Sequence, residues 1–404
     1  MALERRPAVR VVTTSAPAFR LAQFYFWYFG FLGAFAPFWS LYLKAEGLSA
    51  AQIAILLATI PVTRVVGPTF WGWVADTRGA RMPVVRFTTV ATLIVYLGVF
   101  AGSGFWWLFA VMFVLNLFWS GSLPLAEATT MGHLGDQPQR YGRIRVWGSV
   151  GFVAAVAIAG QILDITGIHA LVWIVVALLA AHAISAWKIP EAPVRPHAND
   201  AMPIGALLRR PPVIALFAGC LLMSVANGPY NTFYSIWLVD HGYGKGPVGL
   251  LWALSVVAEI FVFIGWARLS QRFPLRNLLL TAYAVTVGRY LVIAWLPDLL
   301  VPIIVAQLAH AATFALFHAA AVAFTHRFFA GRHQSRGQAL YSGIGFGAGG
   351  VLGSLLAGSL WDTIGGAWTL TCGSVAALAA FLVTARALKE ELPAPTSDDR
   401  PLVT

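Results

Sequence analysis

Phe118-Trp119-Ser120-Gly121-Ser122-Leu123-Pro124-Leu125-Ala126-Glu127 and, a short loop later, Arg140-Tyr141-Gly142-Arg143-Ile144-Arg145-Val146-Trp147-Gly148 decide how this chain is read. Each stretch belongs to an apolar segment long enough to cross a bilayer, and each carries a charge into it. A charge inside hydrocarbon costs several kcal/mol, roughly 2.5–3.5 on the insertion scale, so it faces a partner or a water-filled cavity. Glu127 and Arg145 are opposite in sign and lie on consecutive antiparallel segments. They are read as a pair lining a central cavity, with the rest of the chain built around it.

Composition supports that reading. Of 404 residues, 59% are hydrophobic and 11% charged, where a soluble domain carries about 25% charged residues. The chain is therefore a polytopic membrane protein, with the lipid bilayer as its surroundings. Its net charge of +11 is dealt out among many short loops, which argues against a nucleic-acid partner. Cys220 and Cys372 stand in apolar stretches of different halves and indicate neither a disulfide framework nor a metal site. The segment Phe19 to Leu43 is too long for the apolar part of a signal peptide and reads as a first span, not a cleaved leader.

About 20 apolar residues span a bilayer. That rule predicts twelve helices, at 19–43, 50–75, 82–101, 104–131, 139–163, 169–187, 213–239, 248–269, 277–296, 299–324, 338–360 and 366–388. They must be helices, because lipid leaves no partner for an unpaired backbone group. Arginine and lysine set the orientation. Arg5, Arg6, Arg10 and Arg20, then Arg78, Arg81 and Arg86, then Arg140 and Arg143, and so on to Lys389 and Arg400, fall on one side, and the other side has only Lys44 and Lys245. Both termini are expected in the cytoplasm and the protein in the inner membrane, as a monomer.

The longest connection, 188–212, separates an N-terminal bundle (1–187) from a C-terminal bundle (213–388) and a tail (389–404). The halves look repeated: Gly72-Trp73 recurs as Gly265-Trp266, and Ala159-Gly160 with Asp164 and Gly167 recurs as Ala357-Gly358 with Asp362 and Gly365. Two similar halves with a site at the bilayer midplane are a recurrent transporter architecture. Phosphate-loop, zinc-protease and nucleophile-elbow motifs are all absent from the sequence, so the chain is not read as an ATP-driven pump or an enzyme.

The interior charges then need an account. Arg64 lies twelve residues before Asp76, about 18 Å from that end of its helix at 1.5 Å per residue, near the middle of a core about 30 Å thick. Arg289, Glu259 and His310 fall at similar depth. Glu259 and Arg289, again on consecutive antiparallel helices, are expected to pair. His310 and His318 are eight residues apart and need not face the same way. With Arg64, Arg145 and Arg289 against Glu127 and Glu259, one cation is left over. An anionic substrate supplies the missing charge, and arginine suits a carboxylate because it binds it bidentately. Asn227 and Asn231 bracket Gly228-Pro229-Tyr230, where a helix break is expected and would let the amide pair reach the cavity. Gly345, Gly349 and Gly353 form a close-packing face.

The loop Gly72-Trp73-Val74-Ala75-Asp76-Thr77-Arg78-Gly79-Ala80-Arg81 resembles the loop between the second and third helices of the major facilitator superfamily. That resemblance implies the major facilitator fold, and a role for Gly72, Asp76, Arg78, Gly79 and Arg81 in conformational change. Thr77 and Ala80 replace two expected basic residues. Glu127, Tyr141 to Arg145, Gly148 and Gly151 are similar to the sugar-binding segment of lactose permease, with Phe152 where that protein has a stacking tryptophan. Resemblance over the whole chain is to the phenylpropionate permease family. It rests on Pro37 to Ser40, Thr63 to Gly67, Tyr141 to Gly148, Val256 to Glu259, Gly288 to Tyr290, and Gln307 to His310 with Phe314 and His318.

These resemblances imply a proton-coupled symporter importing a small aromatic carboxylate by alternating access, driven by the proton gradient without a bound cofactor. Substrate contacts are expected from Glu127, Arg145, Arg64, Phe152 and Asn227, and coupling from Glu259, Arg289 and His310. Sugar or nucleoside symport and drug efflux are the other transport readings. The topology is directly testable: reporter fusions at Arg195 and at the C-terminus should read cytoplasmic, and a fusion at Lys245 external. An external C-terminus would require an odd number of spans.

Overall fold

The computed structural model describes residues 17–135, 137–192, 205–329 and 333–388. Arg5, Arg6, Arg10, Arg195, Lys389 and Arg400, with residues 193–204 of the connection and the 389–404 tail, lie outside the described residues. Among the described residues every regular element is helical. The spans are α1 (Ala18–Ala45), α2 (Ala50–Arg78), α3 (Met82–Phe100), α4 (Phe105–Leu134), α5 (Pro138–Thr166) and α6 (Ile168–Trp187). They continue as α7 (Pro211–Asp240), α8 (Lys245–Arg272), α9 (Leu275–Trp295), α10 (Leu300–Phe328), α11 (Arg336–Ile364) and α12 (Gly366–Ala387).

Eleven of these, α2 to α12, are long and apolar enough to cross a membrane. The remaining one, α1, has 28 residues. Its tyrosines, tryptophans and Pro37 lower its hydropathy, and most of them turn inward: Tyr25, Tyr28, Trp39 and Tyr42 are all buried. The outward faces carry large apolar side chains such as Trp106, Ile165, Trp173 and Ile264. A soluble protein does not tolerate so many; hydrocarbon does.

Helix packing follows a twofold pattern. In the first half α1 packs on α5 and α6, α4 on α2 and α3, and α3 on α6. The second half repeats this: α7 on α11 and α12, α10 on α8 and α9, and α9 on α12. The same operation relates the two main seams between halves, α5 with α8 and α2 with α11. This is the architecture of two pseudo-symmetric six-helix bundles. Gly349 and Gly353 face α7 in their own half: a Cβ on Gly349 would lie 2.8 Å from Leu221 O, and one on Gly353 2.9 Å from Val225 O. The face toward α2 is made by Gly347, Gly350 and Gly358, opposite Val65, Pro61 and Ala54.

The repeated Gly-x-x-x-Asp-x-x-Gly of α5 and α11 has a physical role at those seams. Gly160 leaves room for the backbone at Lys245, and Gly358 for that at Ala50. Four residues on, Asp164 accepts hydrogen bonds from the backbone N–H of Lys245 (2.5 Å) and Gly246 (2.7 Å). Asp362 accepts one from Ala50 N–H (3.2 Å). Each carboxylate thus caps the first turn of a helix in the opposite half, where free N–H groups and the helix dipole favour a negative charge. Gly167 and Gly365 then end the helices at φ 85° and 84°, a conformation open to glycine.

The two caps are unequal. The α2 terminus also has its own capping box, Ser49 with Gln52, whereas α8 begins at Gly244 with no side-chain cap of its own. Lys44 of α1 reaches Asp240 of α7 at 2.6 Å nearby, but both side chains are over 40% exposed, and such pairs contribute about 0–1 kcal/mol. Asp164→Ala should therefore destabilise the purified protein by about 1–2 kcal/mol in thermal unfolding, and Asp362→Ala by visibly less. Equal losses would show that the α2 capping box does not back up Asp362.

Candidate functional site

Between the bundles, α1, α2, α4 and α5 bring charge and aromatic surface together. Glu127 of α4 accepts a hydrogen bond from the Tyr141 hydroxyl at 3.0 Å. Arg145 of α5 stands 3.8 Å from the same carboxylate oxygen. Tyr141 precedes Arg145 by four residues, one helical turn, so the two share a face. The Arg145 guanidinium lies 3.9 Å from the centre of the Phe29 ring and 5.7 Å from that of Tyr25. Gly148 permits this, since a Cβ there would sit 2.8 Å from Arg145 Nη1 and 2.6 Å from Phe29. The Tyr25 hydroxyl is anchored to Thr130 Oγ1 at 2.9 Å.

Arg64 of α2 is exposed. It lies 5.6 Å from the ring of Trp119, which stacks on Tyr28 at 4.8 Å and 7°. No acid pairs with Arg64 among the described residues. Phe152 lies seven residues beyond Arg145, on the same face of α5 and further in. Its backbone packs against Gly33 of α1. Trp39, at the far end of the α1 aromatic run, is a packing residue: it is buried, and its Nε1–H donates to Met112 Sδ at 3.0 Å.

The second half presents a drier cluster. His310 Nε2 meets Glu259 Oε1 at 2.8 Å, with 11% and 13% of the side chains exposed. A contact this short holds a proton, on the imidazole or on the carboxyl. Arg289, expected opposite Glu259, turns elsewhere. It donates from Nε to Ala306 O at 2.8 Å and from Nη1 to Thr313 Oγ1 at 3.2 Å, and its guanidinium lies 4.1 Å over Tyr230. The packing explains the difference: α8 lies against α10, not against α9, so the residue within reach of Glu259 comes from α10. Arg289 Nη2, Gln307 Nε2 and His310 Nδ1 are buried without a hydrogen-bond partner. Asn227 is held by the Tyr290 hydroxyl.

His310 and His318 share a face after all. Residues 311–316 form a π-helical segment, whose wider i→i+5 turn advances less per residue than an α-helix and so takes back the drift that eight ideal α-helical steps would accumulate. The rings of His310, Phe314 and His318 stack at 5.8 and 6.1 Å, within 9° of parallel. His318 is bonded to the Tyr341 hydroxyl at 2.8 Å.

In the loop after α2, Gly79 takes φ 63° and closes the helix. Gly72 faces open space. Asp76 and Arg78 are exposed, and Asp76 makes no side-chain hydrogen bond or ion pair among the described residues. The first turn of α3 is capped instead by Glu191, which accepts from Arg81 N–H (3.2 Å) and Met82 N–H (2.8 Å). Arg81 itself donates to Ala128 O at 3.3 Å. In the sequence Glu191 carries no signal, and Tyr141 stands only within a matching stretch, although its one-turn spacing from Arg145 could have revealed its role.

The sequence matches the MFS_1 like family over residues 18–372. This chain belongs to that family of the major facilitator superfamily. It is a multi-pass membrane transporter and not an enzyme. It is 32% identical over 352 residues to a "Probable 3-phenylpropionic acid transporter" of Escherichia coli (strain K12), covering 85% of this chain and 91% of that one. Against the maltose permease of Geobacillus stearothermophilus it is 28% identical, covering 84% and 86%. A crystal structure of a variant of the nucleoside transporter NupG superimposes with a TM-score of 0.83 at 16% identity, over 92% of this chain and 100% of that one. The transporter thus shares its fold with proteins named for quite different solutes.

Proposed function

We propose that this transporter imports a small aromatic carboxylate together with protons, by alternating access. Both termini lie in the cytoplasm, the membrane is the inner one, the protein acts as a monomer, and the proton gradient drives uptake without a cofactor. The observation that carries this reading is the uncompensated positive charge in the first-half cavity. Among the described residues Arg64 has no acid partner, and Arg145 shares Glu127 only at 3.8 Å, while Glu259 is committed to His310. A carboxylate between Arg64 and Arg145 supplies the missing charge. The rings of Phe29, Tyr25 and Trp119 around these guanidiniums suit an aromatic body. The relative named for 3-phenylpropionic acid supports the same class.

In this scheme Glu127, held by Tyr141, positions Arg145, and Phe152 and Asn227 line the path further in. Glu259, His310 and Arg289 carry the coupling, through the proton held between Glu259 and His310. The loop from Gly72 to Arg81, with Asp76, Arg78 and Gly79, moves as the halves exchange access. A second reading, symport of a sugar or nucleoside, is favoured by one feature. Glu127, Tyr141 and Arg145 together offer donors and an acceptor to neutral hydroxyls, as the relative named maltose permease also suggests.

Two measurements separate these readings. If the substrate is a carboxylate, Arg145→Lys loses the planar fork and should cost on the order of 1.5–3 kcal/mol, or roughly ten- to more than a hundredfold in affinity. The amide analogue should bind the unaltered protein weakly, and Arg64→Gln should narrow the gap between acid and amide. Equal binding of acid and amide would move the assignment to a neutral substrate. For coupling, Glu259→Gln should abolish gradient-driven accumulation in vesicles while sparing counterflow exchange. Full accumulation by that variant would remove Glu259 from the proton path.

A further inference from the structure

A groove of about 420 Å³ opens between α1 and α5 toward the basic end of the bundle. It lies apart from the charged cavity. Its α5 walls are Arg140, Arg143, Ile144 and Trp147, which at 3.6 residues per turn fall about 160–260° around the helix from Arg145. Its α1 walls include Gln23, Phe26 and Trp27, whereas the cavity side of α1 is marked by Tyr25 and Phe29 over Arg145. The groove therefore faces outward, toward lipid. The helices close on each other where Gly148 and Gly151 of α5 meet Phe29 and Phe26 of α1. Below that contact they leave the groove open.

Its chemistry is graded. The inner part is aromatic and aliphatic. The mouth carries two exposed arginines. Arg140 is bonded to the Gln137 side chain at 3.0 Å. Arg143 has neither a hydrogen bond nor an ion pair among the described residues. Exposed Phe19 and Trp147, 74% and 49% accessible, flank the opening. An apolar slot ending in two guanidiniums near the start of a membrane span matches an amphiphile with one anionic end. Basic pockets between transmembrane helices select acidic headgroups in this way, and guanidinium binds phosphate bidentately.

We propose that this groove is a binding site for an acidic phospholipid of the leaflet at the basic end, with its phosphate between Arg140 and Arg143 and one acyl chain along Phe26 and Trp147. The lipid rests on the reverse faces of the two helices that hold Arg145 and Phe29. It is a wedge that sets the spacing of α1 and α5, independent of which solute the cavity takes.

The test uses purified full-length protein in neutral detergent, with native mass spectrometry and thermal unfolding as readouts. Dioleoylphosphatidylglycerol should be retained and should raise the melting temperature, while dioleoylphosphatidylcholine and inorganic phosphate should do neither. Arg140→Gln with Arg143→Gln should weaken retention of the acidic lipid at least about tenfold, the loss expected for a charge-assisted bond. Arg143→Lys should restore part of it. Arg272→Gln, at the same end of the bundle but outside the groove, should leave it unchanged. Equal stabilisation by phosphatidylcholine, stabilisation by phosphate alone, or undiminished retention by the double variant would each overturn the proposal.

Discussion

A charged side chain inside hydrocarbon must be matched by another charge, by hydrogen bonds, by an aromatic face or by water, because the alternative costs several kcal/mol. Much of what is distinctive in this structure is an answer to that constraint. Arg289 is matched inside the protein, by a carbonyl, a threonine hydroxyl and the face of Tyr230. Glu259 is matched by His310. Arg145 and Glu127 are only loosely matched, and Arg64 rests on a single indole face. The two halves therefore differ in kind, although their helices obey one packing scheme. One is buried, with its charges matched inside the protein, and the other is open and short of negative charge.

The spans were legible in the sequence because a bilayer imposes a length and a composition that no soluble helix needs to meet. The twofold repeat was legible at Gly160 with Asp164 and at Gly358 with Asp362, but its meaning was not. A carboxylate four residues after a glycine says nothing by itself about a helix terminus in the opposite half. That contact appears only when α5 is set against α8 and α11 against α2.

Partner choice within the bundle was the least legible level. Consecutive helices lie antiparallel, which makes them natural candidates for pairing, and depth along the axis placed Glu259, Arg289 and His310 together. Yet in both halves the second helix packs on the fourth, with little contact to the third. Glu259 consequently meets α10. Glu127 and Arg145, on helices that scarcely touch, face each other across a gap. The alignment of His310 with His318 likewise depends on a π turn that an ideal 100° step does not anticipate. Composition and periodicity report burial and depth well; they carry little about which helix lies next to which.

The unequal capping of the two seams bears on how the molecule can part at that end. The α8 terminus depends on the opposite half for its cap, by two short bonds from Asp164, while α2 is self-sufficient and gains one longer bond from Asp362. A closure with one firm edge and one weak edge yields at the weak edge first. The bundles would swing about the α5–α8 edge, as a book opens on its spine, and water would enter along the α2–α11 edge. That edge is formed by the helix that carries Arg64, so its opening and the unpaired cation share one element.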